Sequence, residues 1–233
     1  IRDILQEYGD DFYVFGEFWN NDEAANNDYL ENIDYRFDLV DVKLHTNLFE
    51  ASQKGEEYDL RTIFDHTLVK NHPESAVTFV ENHDTQRGQA LESTVEEWFK
   101  PAAYALILLR ESGLPCIFYG DYYGINGEFA QQDFREEIDK LLDLRLNLAY
   151  GEETDYFDDP NCIGWTRAGQ DGGQPIAVLI SNASATSKRM YFGQDWSGHE
   201  CSDYLGNCQT IVTIDEEGWG EFPVEEQSVS VWS

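Results

Sequence analysis

Carboxylate side chains follow apolar runs at three places in this sequence. Glu17 follows "FYVFG", His83 and Asp84 end "AVTFVENHD", and Asp121 ends "LPCIFYGD". One such run indicates only a buried parallel strand that exits into a solvated loop. Two carboxylates that converge from different strands could do more. A protonated carboxyl group can give a proton to a glycosidic oxygen, while an ionised one stabilises the positive charge that develops on the sugar.

Two side chains next to these carboxylates are candidates for binding a sugar. Trp19 lies two residues after Glu17 and would offer a flat apolar face to a sugar ring, or else it is a core residue. His83 could hydrogen-bond a sugar hydroxyl, or it could be a loop histidine with partners of its own.

These side chains must be positioned by the elements that carry them. Apolar and aromatic runs predict four strands, at residues 12–15, 35–40, 76–84 and 114–121. Helices are predicted at the amphipathic segment 133–151, at 1–12, and at "PAAYALILLRESG", where Pro101 starts the first turn and Gly113 follows the end. Strands that alternate with helices predict a parallel α/β sheet or barrel, whose active site lies at the carboxyl ends of the strands.

The pattern changes after Gly151. Five short apolar segments follow, separated by Gly, Asn, Asp and Ser: "CIGWTRAG", "PIAVLISN", "KRMYFG", "QTIVTID" and "SVSVWS". Such segments predict an all-β module, a sandwich of antiparallel strands. We therefore expect an α/β domain over residues 1–150 and a β domain over residues 151–233.

The chain is strongly acidic, with 46 Asp and Glu against 15 Lys and Arg, a formal net charge of −31. Such a surface repels nucleic acid and anionic membranes, so neither is expected as a partner. No apolar stretch approaches the roughly 18 residues that a membrane span needs. Either the surface is adapted to high salt, which screens self-repulsion, or the protein is simply acidic.

Four cysteines are present, and none forms a Cys-x-x-Cys pair, which argues against a zinc site. Cys116 lies in an apolar run and is expected to be a core thiol. Cys201 and Cys208 flank "SDYLGN", a plausible hairpin, and could form a disulfide in an oxidising compartment.

Several longer segments resemble a known family. "GEFWN", "FVENHDTQ", "WFKPAAYALILLRESGLPCIFYGDYYG" and "GWGEFPV" are similar to segments of the alpha-amylase family, glycoside hydrolase family 13, especially its liquefying bacterial-type members and their fungal relatives. The resemblance covers essentially the whole chain. It implies the second half of a (β/α)8 barrel in residues 1–150 and the Greek-key β domain C in residues 151–233. It also implies retaining endo-hydrolysis of α-1,4-glucosidic bonds in starch-like glucans.

The resemblance also implies roles for individual residues. Glu17 matches the family's general acid/base, and Asp84 matches its aspartate that stabilises the transition state. His83 matches a histidine that binds substrate hydroxyls, and Trp19 lies in the substrate cleft. The nucleophile is a third carboxylate on the preceding barrel strand, upstream of residue 1, so this chain alone is expected to be inactive without the N-terminal half. Glu81 stands where the family usually has aspartate.

A calcium ion between the barrel and domain C is the cofactor that the resemblance implies within this chain. The ligands that it implies are backbone carbonyls and two side chains: Glu56, Tyr58, Pro160, Asn161 and Asp203. Asn161 replaces a usual aspartate and Glu56 a usual glycine, so one anionic ligand is lost.

Two other functions remain open at this point. A chain without the nucleophile could belong to a protein that binds glucan without cutting it, and a transglycosylating family member would use the same carboxylates.

Overall fold

The computed structural model describes residues 12–233, so the predicted helix at the N-terminus lies outside the described residues. Four short strands form one sheet: β1 (Phe15–Gly16), β2 (Asp38–Val40), β3 (Ala76–Phe79) and β4 (Leu114–Cys116). They lie in chain order, and each pairs in parallel with the next. The carboxyl ends of all four strands therefore lie at the same edge of the sheet, as predicted for a barrel segment.

One predicted strand end is corrected by the structure. Asp121 does not end β4, because the chain turns at Phe118 into a short helix, Tyr119–Tyr123, that contains it. The Asp121 side chain is fully buried within this helix. Asp121 is therefore not a strand-end carboxylate of the open edge, unlike Glu17 and Asp84.

Six α-helices occur in the described chain: α1 (Glu23–Asn32), α2 (Val42–Lys54), α3 (Leu68–Asn71), α4 (Lys100–Leu108), α5 (Tyr119–Tyr123) and α6 (Arg135–Asn147). Asp41 joins two of these helices. Its buried carboxylate accepts from Leu44 N in α2 at 3.0 Å and from Val69 N in α3 at 2.7 Å. Between residues 12 and 233, no helix has the length and apolar character needed to cross a membrane.

The rest of the chain is an antiparallel β module. Its strands are β5 (Glu153–Asp159), β6 (Cys162–Arg167), β7 (Ile176–Ser181), β8 (Thr186–Tyr191), β9 (Glu200–Cys201), β10 (Val212–Thr213), β11 (Trp219–Val224) and β12 (Ser228–Trp232). β5, β6 and β7 form a meander, and β12 returns to lie beside β7 after the chain has passed through two smaller sheets, β8–β11 and β9–β10.

Both faces of the larger β sheet are covered, which explains why β6 and β7 are buried along their whole length. Alternate residues such as Trp165 and Val178 share one core with the barrel helices. The intervening residues, such as Leu179, face a second core that includes Met190 and Phe222 of the smaller sheet. The barrel segment and the β module therefore pack against each other directly.

Arg110 joins these two parts. Its guanidinium lies 4.9 Å from the ring centre of Phe64 and 5.4 Å from that of Trp165. The same group pairs with Glu153 at 2.6 Å. A cation held between aromatic faces and a largely buried carboxylate fixes the orientation of β5 against α4.

The cysteine predictions are corrected. Cys116 is exposed rather than a core thiol, although it pairs in register with the buried Phe79 of β3. Cys201 and Cys208 are both buried free thiols rather than a disulfide. Cys201 pairs in register with Val212 in the β9–β10 sheet, and Cys208 lies in the loop that follows, where its N–H donates to Asp203 Oδ2 at 2.9 Å.

Candidate active site

Glu17 and Trp19 follow β1 directly, at the open edge of the parallel sheet. Glu17 is exposed, while Trp19 is partly buried. The Trp19 ring lies 6.2 Å from Phe79 and 6.3 Å from His45, against a small apolar cluster of β2 and β3. One part of the Trp19 side chain is thus packed, and the rest remains available at the edge where Glu17 lies.

Asp84 and His83 lie at the same edge, in the loop after β3. Asn82 shapes this loop, because its Oδ1 accepts from Asp84 N at 2.9 Å and from Thr85 N at 3.0 Å. His83 Nε2 lies 3.7 Å from Asp84 Oδ2, and both side chains reach solvent. Since β1 and β3 are separated only by β2, sheet spacing puts the two strands about 10 Å apart. The structure thus brings Glu17, Trp19, His83 and Asp84 to one edge.

Beneath this loop lies a group of buried charges that sequence reasoning did not identify. Lys100 Nζ is 3.2 Å from Glu81 Oε2 and also pairs closely with Asp121, and all three side chains are fully buried. Burial raises the pKa of Glu81 to about 7, and the nearby Asp121 carboxylate adds to this while Lys100 opposes it. The signals in the sequence were an acid at the end of a buried strand and a lysine just before Pro101.

His45 is a second buried polar residue beside the site. Its Nδ1 lies 2.8 Å from the carbonyl oxygen of Val80, and its Nε2 lies 2.8 Å from Ser93 Oγ. The ring stacks on Phe79 with 5.0 Å between centroids. Burial lowers the pKa of His45 to about 4, so the ring is neutral at physiological pH.

The loop around residues 55–58 meets the β module at the place predicted for calcium. Asn161 Nδ2 donates to the carbonyl of Glu56 at 2.8 Å. Asn182, which sequence reasoning missed at the end of "PIAVLISN", donates through Nδ2 to the carbonyls of Gly55 and Tyr58, both at 2.8 Å. The carbonyls that a cation would need already accept hydrogen bonds from side-chain amides.

The other two predicted ligands are also engaged. The Pro160 carbonyl accepts a backbone N–H at 2.8 Å. Asp203 accepts backbone N–H groups from its own loop and from Val231. In β12, Ser228 pairs with Ser181, the last residue of β7, and Asn182 follows directly. Val231, the residue that contacts Asp203, lies three residues further along β12. At about 3.3 Å per residue, Asp203 is displaced by roughly 10 Å from that end.

The residues at this junction therefore do not fit Ca²⁺. The structure does not bring together the five positions Glu56, Tyr58, Pro160, Asn161 and Asp203. The carbonyls of Gly55, Glu56 and Tyr58 meet the side-chain amides of Asn161 and Asn182, and the carboxylate of Asp159 accepts from Asn161 N at 2.8 Å. Ca²⁺ is a hard cation that is bound mainly by carboxylate and other oxygen ligands. Within residues 12–233, no group of three or more His, Cys, Asp or Glu is arranged to hold a metal ion.

A parallel sheet with carboxylates at its open edge, packed against an antiparallel β module, defines a barrel-type protein with a C-terminal β domain. The family model of the alpha amylase catalytic domain matches residues 1–172, and the alpha-amylase C-terminal model matches residues 176–233. The chain belongs to the alpha-amylase family.

Named relatives agree with this assignment. The glucan 1,4-alpha-maltohexaosidase of Bacillus sp. (strain 707) is 45% identical over 100% of this chain, which covers 45% of that protein. The alpha-amylase of Bacillus licheniformis is 42% identical over 100% of this chain, which covers 46% of it. The chain thus spans less than half the length of these relatives.

The fold is also found among solved structures. The crystal structure of CldA, a cyclomaltodextrin glucanotransferase with a three-domain ABC distribution, matches with a TM-score of 0.70 at 20% identity. The match covers 99% of this chain and 52% of that one. At this identity the likeness concerns the fold alone.

Proposed function

We propose that this chain belongs to an alpha-amylase that hydrolyses internal α-1,4-glucosidic bonds of starch-like glucans with retention of configuration. The observation that carries the proposal is the placement of Glu17 and Asp84 at one edge of a parallel sheet, after strands β1 and β3. Membership in the family and the names of the relatives support the substrate class.

Each side chain at the edge has one role in this proposal. Glu17 gives its proton to the leaving glycosidic oxygen and later takes a proton from the water that completes hydrolysis. Asp84 stays ionised and stabilises positive charge on the sugar. His83 hydrogen-bonds a sugar hydroxyl, and Trp19 offers a ring face to the sugar. The nucleophile is a carboxylate outside this chain.

The organisation of the chain follows the same proposal. Residues 1–150 supply the second half of the barrel, and residues 151–233 form domain C, a division supported by the change from α6 to β5. The N-terminal half of the same enzyme is proposed to cover apolar residues exposed on the parallel sheet, such as Phe15 and Leu114. Any Ca²⁺ in the complete enzyme is proposed to be held by residues outside this chain.

The test uses the complete enzyme with soluble starch and a defined maltooligosaccharide. Proton NMR of fresh products should show new reducing ends in the α configuration, because two displacements at the anomeric carbon restore its configuration. New ends in the β configuration would contradict the proposal. Binding of glucan without new reducing ends would indicate a binding protein, and longer products without hydrolysis would indicate transglycosylation.

A further inference from the structure

A buried ion network lies directly beneath the loop that carries Asp84. Asp121 accepts from Tyr104 Oη at 2.6 Å and from Gln131 Nε2 at 2.7 Å, in addition to its contact with Lys100. Glu81 is held less completely, because its Oε2 faces only the ammonium of Lys100 at 3.2 Å. The remaining oxygen of Glu81 is therefore the one that can act on its surroundings.

That oxygen connects the network to Asp84 through a short chain of hydrogen bonds. Thr85 Oγ1 donates to Glu81 Oε1 at 2.8 Å. The same Oγ1 accepts from Asn82 N at 2.9 Å. Asn82 Oδ1 in turn accepts from Asp84 N at 2.9 Å. Three successive contacts thus connect a fully buried carboxylate with the backbone of a residue whose side chain reaches the open edge.

Three helices, α2, α4 and α5, contribute the charged and titratable groups that surround Glu81. α4 contributes Lys100 and Tyr104, and α5 contributes Asp121. α2 contributes His45, which holds the carbonyl of the preceding residue, Val80, and is neutral. The network therefore contains two carboxylates for one ammonium.

Such a network is a poor device for stability. Burying ions carries a large desolvation cost, and well-packed apolar side chains of similar volume often stabilise a fold as well or better. Its hydrogen bonds, however, restrict geometry strongly, since every polar group that loses its partner inside the protein is penalised. The Glu81–Thr85 contact limits where Asn82, and so Asp84, can lie.

We propose that Glu81, held by Lys100, is a positioning residue that acts through Thr85 to fix Asp84 for transition-state stabilisation. This inference rests on the proposed function of Asp84. A displacement of the order of 1 Å in such a group can lower the rate about a hundredfold, so the network would act on kcat more than on substrate binding.

The experiment is a double-mutant cycle in the complete enzyme, with Thr85→Val and Asp84→Asn alone and together. Thr85→Val keeps the shape of the side chain and removes the hydroxyl. We expect it to lower kcat by roughly ten- to a hundredfold with KM changed less than about threefold, and Thr85→Ser to restore most of the rate. In the Asp84→Asn background, Thr85→Val should lower kcat no further, because its effect passes through the Asp84 carboxylate.

Thr67→Val is the matched control. Thr67 is also a fully buried threonine, and its hydroxyl donates to Phe64 O at 2.7 Å and accepts from Lys70 N, at the start of α3. It should lower the melting temperature without a specific loss of kcat. The positioning role would be refuted if Thr85→Val lowered kcat no more than Thr67→Val does. It would also be refuted if Thr85→Val lowered kcat by the same factor in the wild type and in Asp84→Asn.

Two further outcomes separate this inference from the proposed function. If Thr85→Val does not fold, Glu81→Gln takes its place. Thr85 and Lys100 face different oxygens of Glu81, and the NH2 group that replaces one of these oxygens in glutamine cannot accept a hydrogen bond. The same dependence on Asp84 is expected. Normal hydrolysis that falls with Asp84→Asn but not with the Glu81 or Thr85 variants would overturn the positioning role alone. A wild-type enzyme without glucan hydrolysis would overturn both.

Discussion

At the scale of single residues, environment separates the carboxylates near the site into different tasks. Glu17 and Asp84 are at least partly exposed at the sheet edge, where a substrate could reach them. Glu81 is only 1% exposed and faces Lys100 and Asp121. The first pair can contact a ligand directly, whereas Glu81 can act only through its neighbours.

The raised pKa of Glu81 predicts a dependence of stability on pH. With a pKa of about 7 in the folded chain and 4.5 as the ordinary value, Glu81 favours folding fully below pH 4.5. This contribution is lost as pH rises to about 7, a change of up to about 3 kcal/mol in the free energy of unfolding. The lowered pKa of His45 acts in the opposite sense between pH 4 and 6.5.

A comparison with Glu81→Gln isolates the effect of Glu81 from that of His45. The melting temperature of wild type minus that of the variant should decrease from pH 4.5 to pH 7 and then level off. A difference that stays constant across this range would show that the Glu81 carboxyl group titrates normally.

At the scale of elements, the sequence predicted the four parallel strands and the change to a β module, because apolar runs and turn residues are local signals. It did not predict β5, β9 and β11 of that module. It could not predict that Asp121 lies in a helix, since "IFYGDYY" is apolar and aromatic enough for either a buried strand or a short buried helix. Nor could it show that Asn182 rather than Asp203 meets the 55–58 loop, because that depends on the pairing of β7 with β12.

The amide junction predicts the effect of introducing carboxylates. In Asn161→Asp/Asn182→Asp, carboxylate oxygens would face the carbonyls of Glu56 and Tyr58, which would repel them unless a cation intervenes. The melting temperature should fall in chelator and recover in millimolar CaCl₂, and this recovery should exceed any response of the wild type.

Asn207→Asp is the control for this pair. Asn207 Nδ2 also donates to a carbonyl, that of Val229, but within the β module. Asn207→Asp should lower the melting temperature, and Ca²⁺ should not restore the melting temperature beyond its effect on the wild type. The role assigned to the junction would be contradicted if CaCl₂ raised the melting temperature equally in three proteins: the double variant, Asn207→Asp and the wild type.

At the scale of the whole molecule, the excess of acidic residues dominates. Of the 15 basic residues, several of those in the described chain already lie in ion pairs, such as Arg61 with Asp59 and Lys70 with Asp65. Most acidic side chains therefore add to mutual repulsion at low ionic strength. Salt shortens the Debye length from about 10 Å at 0.1 M to about 3 Å at 1 M, which should relieve it.

We expect the melting temperature to rise from low to molar NaCl if the surface is adapted to salt. Glu225→Gln/Glu226→Gln, which removes two adjacent exposed charges, should reduce the slope. A flat or falling response to NaCl would indicate ordinary acidity.

Glu17, proposed as the proton donor in hydrolysis of an α-glucan, is tested by the kcat of Glu17→Gln in the complete enzyme. Reducing-end release from soluble starch should fall by several orders of magnitude, since the amide cannot protonate the leaving oxygen, while the enzyme still binds substrate. Glu23→Gln, at the exposed start of α1, should leave kcat unchanged. Near wild-type turnover of Glu17→Gln would contradict the assignment of this edge as the active site.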